Sequence, residues 1–155
     1  MTPRAILLLL PLAAACGDDA CPLVEDVVPG CGVLVGGEPM RIGDALANLE
    51  ERFGEPALQE LSSLGTRFDY APSGVTGFCG PDGLVGSLML GPRFRGGTAG
   101  GVMVGAGEEV AGYEFGEAVP DPLGAGLWYP EEGIGVEVEE TVVARIHVFA
   151  PEEGW

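Results

Sequence analysis

The sequence contains no lysine and a single histidine, and these shortages exclude several classes of function. Its seven basic residues are all arginine and stand against 24 Asp and Glu, so the net charge is −17. A chain this acidic repels phosphate backbones, and we therefore predict no nucleic-acid partner. It also repels anionic lipid headgroups, so a basic surface is not expected to hold it at a membrane.

Residues that carry chemistry are also scarce. There is no Gly-x-Ser-x-Gly motif, and His147 is the one base that Ser87 has available. The glycine-rich run 96–107 lacks the lysine of a phosphate-binding loop. The carboxylates stand in adjacent pairs, not in a spaced calcium loop, and the cysteines fit no zinc pattern. We therefore expect a protein that is not an enzyme and holds no metal or cofactor.

Long apolar runs are missing except at the N-terminus. Arg4 precedes the apolar residues 5–12, and three alanines then lead to Cys16, an order typical of a secretory signal peptide. The run is about half of the ~20 residues that span a bilayer. We predict a signal peptide over residues 1–15; an ordinary secretory signal cut after Ala15 is the alternative to the lipoprotein type described next.

The Ala-Ala-Ala-Cys ending resembles a bacterial lipoprotein signal, in which the cysteine, here Cys16, receives the lipid. The resemblance implies a cell-envelope protein held at the membrane by its N-terminal lipid. In such lipoproteins an Asp directly after the lipidated cysteine marks inner-membrane retention. Gly17 stands there in this chain, which favours the outer membrane of a Gram-negative bacterium.

Three further cysteines, Cys21, Cys31 and Cys79, allow at most one internal disulfide. Such a bond persists outside the cytoplasm. We favour Cys31–Cys79, because it would close the longer loop and so constrain the unfolded chain more. Cys21–Cys31 is the local alternative.

The remaining chain of about 140 residues is long enough for one domain with a substantial core. We assign residues 16–31 to a tether and entry segment, 32–95 to a first repeat and 96–155 to a second. Phe53-Gly54-Glu55-Pro56 recurs as Phe115-Gly116-Glu117-Ala118, and four further matches keep an offset of 58 to 62 positions. Residues 32–36 also echo residues 101–105 at an offset of 69, which would need a deletion of about seven residues in the second copy.

Each copy has the pattern of a helix followed by strands. Apolar residues from Ile42 to Phe53 follow helical spacing, with Asp44 as a cap and Gly54 as a stop. Residues 57–62 are expected to form a second helical turn after Pro56. Alternating strands follow, and the last of them is expected to turn four residues inward: Val142, Ala144, Ile146 and Val148.

We therefore predict an α+β fold of two tandem α-β-β-β units. They would form an antiparallel sheet with short helices packed on one face.

The short motifs of both copies resemble those of the SmpA/OmlA-type outer-membrane lipoproteins. The second copy contributes Val102-Met103-Val104-Gly105, Glu109-Val110 and Phe115-Gly116-Glu117. The first contributes Ile42-Gly43-Asp44, Leu49 and Phe53-Gly54-Glu55-Pro56. Tandem units of this kind also resemble the β-lactamase-inhibitor-protein fold. The resemblance implies a lipidated N-terminal cysteine, helices packed on a three-stranded antiparallel sheet and a role as an outer-membrane assembly factor.

Aromatic residues are few, and two of them, Trp128 and Tyr129, follow a glycine-rich turn as candidate partner-binding anchors. Alternatively, Tyr129 lies in the core and Trp128 packs on the sheet. Arg93 and Arg95 form the one local basic spot, suited to a carboxylate partner. We predict a non-enzymatic envelope lipoprotein that binds or scaffolds another envelope protein. The alternatives are an inhibitor of a secreted enzyme and a small hydrolase with an unrecognised site.

Overall fold

The computed structural model describes residues 21–121, 124 and 126–152. The predicted signal peptide, Cys16 and Trp155 therefore lie outside the described residues. Within the described part the fold is α+β and mostly β-sheet, with two short helices.

A small antiparallel sheet comes first in the chain. It consists of β1 (Val27–Val28), β2 (Gly32–Val35) and β3 (Glu38–Arg41), in the order β1-β2-β3. Helix α1 (Leu46–Phe53) follows and ends at Gly54, as predicted.

The main sheet has eight antiparallel strands in the order β4-β5-β6-β7-β11-β10-β9-β8. Its first half is β4 (Leu58–Ser62), β5 (Gly65–Tyr70), β6 (Val75–Cys79) and β7 (Val85–Leu90). Its second half follows helix α2 (Glu109–Phe115) and is β8 (Val119–Pro120), β9 (Gly126–Tyr129), β10 (Ile134–Glu139) and β11 (Val142–Phe149). Two four-stranded meanders thus meet where β7 pairs with β11.

The core lies on one face of this sheet, because alternate strand residues point there. Phe68, Leu88 and Ile146 are fully buried on that face. The same cluster contains Leu49 of α1, Ala111 of α2 and residues of the small sheet. Fully burying a side chain of this size contributes about 1.5–3 kcal/mol, so this face holds the layers together.

The opposite face of the eight-stranded sheet, here called the open face, has no described helix packed on it. Its central side chains alternate along the strands with the inward residues. They are Ser87 and Met89 of β7, Arg145, His147 and Phe149 of β11, Glu137 of β10 and Trp128 of β9. All of these are half-buried or exposed.

The prediction of a helical turn over residues 57–62 is wrong, because this segment is strand β4. Its partner β5 supplies a full antiparallel ladder from Leu58 opposite Asp69 to Ser62 opposite Gly65. Strand pairing thus overrides the local helical tendency. Each helix is consequently followed by four strands and not by three.

The predicted helix cap is also wrong. Helix α1 begins after Ala45, without a side-chain cap, and Ile42 lies before it. The Asp44 carboxylate instead accepts a hydrogen bond from the backbone N–H of Arg41, at 2.9 Å.

Strand β11 shows a register shift that sequence alternation did not reveal. Ile146 and Val148 point inward as predicted, but a β-bulge between Glu137 and Val138 of β10 moves the start of β11 by one residue. Val143 is therefore 1% exposed and Val142 is 39% exposed. A one-residue slip moves side chains to the other face, so the inward placement of Val142 is wrong.

The disulfide joins Cys21 to Cys31, with the Cα atoms 5.7 Å apart. This was the alternative pairing, and the favoured Cys31–Cys79 pairing is wrong. Cys79 ends β6 on the inward face of the main sheet, where it is 3% exposed and free. Cys31 lies in the turn before β2, where its sulfur is bonded to that of Cys21.

Candidate functional site

The open face carries an aromatic cluster built by strand register. Gly135 of β10 lies between Trp128 on one side and His147 on the other. Because Gly135 has no side chain, the Trp128 ring lies directly over it. The same register brings Phe149 within reach of Trp128 across the intervening strand.

The rings are arranged as a stacked pair with a third ring at one side. The centroids of Trp128 and Phe149 are 5.1 Å apart with planes only 11° from parallel. The Trp128 and His147 centroids are 5.4 Å apart at 50°. Aromatic pairs of this geometry contribute about 0.5–1.5 kcal/mol beyond their buried area, so the cluster is a preorganised apolar platform.

The Glu137 carboxylate contacts two basic side chains at the edge of this platform. Glu137 Oε2 lies 3.3 Å from Arg145 Nη1 and 3.4 Å from His147 Nε2. These are cross-strand neighbours at a half-exposed site, so the pairs fix orientation more than they add stability. The platform therefore has an apolar centre and a polar rim.

Ser87 and His147 share the open face, where the hydrolase alternative would need them. Ser87 lies opposite Phe149, and His147 lies opposite Met89. A nucleophile and its base need to be within hydrogen-bond reach. Within the described residues no hydrogen bond joins Ser87 to His147.

Tyr129 is a core residue, which confirms the alternative interpretation that it lies in the core and rules it out as an exposed anchor. It is 4% exposed and packs on Phe115, with ring centroids 5.3 Å apart. It neighbours Trp128 in β9 and so points to the opposite face. Trp128 itself is half-buried on the open face.

A small pocket of about 210 Å³ lies beside Trp128, at the end of β9. Tyr129 contributes to its lining, together with Phe115, Val119 and the turn from Pro130 to Glu132. Trp128 therefore belongs both to this pocket and to the aromatic platform.

Arg93 and Arg95 are exposed on either side of Phe94, which is 7% exposed. Both line a shallow groove with Asp26, apart from the pockets that Trp128 lines. In the described part of the chain neither guanidinium forms an ion pair. The structure thus does not join the predicted basic spot and the aromatic anchor into one site.

Cys79 is the one cysteine outside the disulfide among those described. Its burial, and secondarily the charge of Asp82, raise the pKa of the thiol to about 11. A thiol with this pKa is protonated near neutral pH and is a poor nucleophile.

Sequence reasoning missed Phe149 and Glu137 as members of the site. The signal for Phe149 was its position two residues after His147 on a strand, which puts both on one face. The signal for Glu137 was its place on the neighbouring strand of the predicted hairpin. The cross-strand register that brings both residues to Trp128 cannot be predicted from any single segment of the sequence.

The described residues contain no group of three or more His, Cys, Asp or Glu side chains placed to hold a metal ion. Neither of the described helices is long and apolar enough to cross a bilayer.

Comparison with solved structures finds a distant structural resemblance. The chain is similar to the structure of an extracellular protein containing a SCP domain from Bacillus anthracis str. Ames, with a TM-score of 0.45 and 11% sequence identity. The match covers 70% of this chain and 44% of that protein, so the chain spans less than half of its length. A similarity of this extent assigns neither fold family nor function. No protein-family model and no curated protein matches the sequence.

Proposed function

We propose that the protein is a non-enzymatic envelope lipoprotein that binds another envelope protein through its open face. The observation that carries this proposal is the stacked Trp128–Phe149 pair, which lies half-buried on a sheet face with no described helix over it. Aromatic side chains of this kind supply much of the binding energy at protein interfaces. The rim of Glu137 and Arg145 would set orientation.

Lipid attachment at Cys16 is part of the same proposal. It rests on the sequence of the first 16 residues, and Gly17 favours the outer membrane. A lipid on Cys16 and the short tether to Cys21 would hold the domain close to the bilayer. Its excess of acidic residues, 24 Asp and Glu against seven Arg in the full sequence, would keep its surface away from anionic headgroups and leave the open face accessible to protein.

We further propose that the domain consists of two tandem units, each a helix followed by four strands. Support comes from a backbone hydrogen bond that recurs shortly before each helix. The N–H of Gly43 donates to the Val85 carbonyl at 2.7 Å, and the N–H of Gly105 donates to the Val143 carbonyl at 2.8 Å. Both glycines have a φ near +90°, and they lie 62 positions apart. Gly43 is then the counterpart of Gly105, and the second unit needs no deletion.

The ends of the helices agree with this correspondence. The ring of Phe53, the last residue of α1, packs on Tyr70 at 5.9 Å, and that of Phe115, the last of α2, packs on Tyr129 at 5.3 Å. Each tyrosine ends the second strand after its helix. The same contact thus recurs at an offset of about 60 positions.

The seam between β7 and β11 supports a two-fold relation between the units. Met89 and His147 lie opposite each other and are 58 positions apart. Leu88 lies opposite Val148, and Leu90 lies opposite Ile146, so each pair becomes the other under the same offset. A two-fold axis passing between Met89 and His147 has this consequence.

Site-specific photo-crosslinking in intact cells tests the binding proposal. A photoreactive phenylalanine at Phe149 should give one defined crosslinked species. The same group at Tyr113 on α2, which is 87% exposed, should give none. If neither position yields a crosslinked species, the proposal fails.

A further inference from the structure

The two edges of the eight-stranded sheet differ in how they are protected. Strand β8 has two residues, and one of them, Pro120, has no backbone N–H to donate. Strand β4 has five residues, no proline and no register shift in its ladder with β5. Natural sheets usually block their edges with short strands, prolines, charges or bulges. Among the described strands none pairs with the outer side of β4, so this edge can accept another strand.

The β4 edge also exposes large apolar side chains. Leu61 is 81% exposed, Leu64 in the following turn is 85% exposed, and Leu58 is 40% exposed. The one charged residue of β4, Glu60, lies 3.8 Å from the guanidinium of Arg67 on β5. In a chain with 24 acidic residues and seven arginines, this edge is therefore apolar and its own charge is compensated. A second copy of so acidic a protein meets less repulsion here than at a surface of unpaired carboxylates.

The sequence of this edge is symmetric about Leu61. Residues 58–64 read Leu-Gln-Glu-Leu-Ser-Ser-Leu, so apolar and polar positions mirror each other on the two sides of Leu61. In an antiparallel ladder between two copies centred there, Leu61 lies opposite itself, Leu58 opposite Leu64 and Glu60 opposite Ser62. A ladder centred on Glu60 would place that carboxylate opposite itself, and like charges directly opposite each other destabilise a sheet. A shift of half that step would pair residues from opposite faces, which a ladder does not allow.

We propose that β4 pairs antiparallel with β4 of a second copy of this chain, in the ladder centred on Leu61. The two eight-stranded sheets then form one continuous sheet. The two-fold axis of such a pairing is perpendicular to the sheet, so both open faces lie on the same side of the dimer. A contact between two single strands is smaller than the roughly 1,200–2,000 Å² of a stable interface, so the dimer forms reversibly as the concentration rises.

Sedimentation velocity of the protein over a wide range of concentrations measures the association. We expect a monomer–dimer equilibrium that Leu61→Lys weakens by about tenfold or more, because both copies lose an apolar contact and gain a charge at the edge. Tyr113→Lys is the matched control, since it adds the same charge at an 87% exposed position of α2. Either lysine reduces the net negative charge, so general electrostatics would strengthen association in both variants. A loss confined to Leu61→Lys therefore identifies the β4 edge.

Single cysteine substitutions test the register of the ladder. With Leu61 opposite itself, the two Cα atoms are about 4.5–5.5 Å apart, a separation that a disulfide spans. Glu60 and its counterpart are then diagonal neighbours about 7–8 Å apart, beyond that range. We expect mild oxidation in intact cells to link Leu61→Cys into a covalent dimer and to leave Glu60→Cys as a monomer. Tyr113→Cys, at a more exposed position, controls for random collision.

Each contrary result would overturn the proposal. A protein that stays monomeric at every concentration forms no such dimer, and equal effects of the two lysines place the contact elsewhere. A disulfide in Glu60→Cys but not in Leu61→Cys contradicts the register. If Leu61→Cys is linked to a different protein, a foreign strand and not a second copy occupies the edge. The Phe149 crosslink should persist in Leu61→Lys, because the ladder does not use the open face, so failure of the dimer leaves the proposed function standing.

Discussion

Two glycines lie beneath aromatic rings on opposite faces of the same sheet, and they make a matched pair of perturbations. A Cβ at Gly77 would meet the ring of Phe68, and one at Gly135 would meet the ring of Trp128. Phe68 is fully buried on the core face, whereas Trp128 is half-buried on the open face. The two Gly→Ala changes therefore compare the displacement of a ring that the core encloses with the displacement of a ring on the open face.

The costs follow from that difference. In Gly77→Ala the Phe68 ring has no free space, and overpacking of this kind costs up to about 3 kcal/mol. In Gly135→Ala the Trp128 ring can swing outward. It then loses roughly 0.5–1.5 kcal/mol of ring contacts, partly offset by about 0.4–1 kcal/mol from the reduced freedom of the unfolded chain. The expected net cost at Gly135 is below about 1 kcal/mol.

Urea and thermal unfolding measure both variants directly. For a domain of this size about 1 kcal/mol corresponds to roughly 4 °C in Tm. We expect a fall of up to about 12 °C for Gly77→Ala and of at most about 4 °C for Gly135→Ala. In a Trp155→Phe background, Gly135→Ala should also red-shift the Trp128 emission. Equal destabilisation by the two changes would mean that Trp128 is enclosed, and the reasoning about the open face would be refuted.

Three further predictions concern the hydroxyls of Tyr70 and Tyr129, the disulfide and the Cys79 thiol. Tyr70→Phe should cost about 1 kcal/mol in urea unfolding, because it removes a hydrogen bond, while Tyr129→Phe should cost close to nothing; equal losses would contradict the assignment of the hydroxyls. Peptide mapping without reduction should find Cys21 linked to Cys31, and reduction should lower the free energy of unfolding by about 2.5–3 kcal/mol. Stability should fall as the pH rises from about 9 to about 11, because the Cys79 thiol ionises in the unfolded chain first. In Cys79→Ala that part of the pH dependence should disappear, and its persistence would assign it to other groups.

Much of the secondary structure can be predicted from the sequence, because residues within each segment determine it. The helices stop at Gly54 and Gly116, where φ is +82° and +85°, conformations that glycine adopts without strain. The alternation over residues 66–70 and 133–139 predicts two strands, which correspond to β5 (Gly65–Tyr70) and β10 (Ile134–Glu139). Each of these features depends only on residues within its own segment.

Features that depend on a partner strand were not predicted from the sequence. Strand β4 is specified by its ladder with β5, since its own residues are all exposed and carry no buried face. The bulge in β10–β11 arises from how two strands fit together, so alternation alone placed Val142 on the wrong face. The small sheet likewise includes Val27–Val28, which the sequence placed in the tether.

The candidate site divides in the same way. Trp128 was found because an aromatic residue after a glycine-rich turn is conspicuous. Its neighbours were not, because Phe149 reaches Trp128 only across β10, at the one position where Gly135 leaves room. The residues of the platform come from three strands, and their meeting is a property of the sheet.

The central claim is that the open face binds another envelope protein, and crosslinking at paired positions tests it most directly. Photoreactive side chains are placed at Phe149 and at Phe78, which lies opposite Ser87 on the open face, and at Tyr113 on α2. Crosslinked species are then resolved from intact cells. The account predicts a defined species from Phe149 that Trp128→Ala diminishes, and none from Tyr113. A defined species from Tyr113 with none from either open-face position would contradict it.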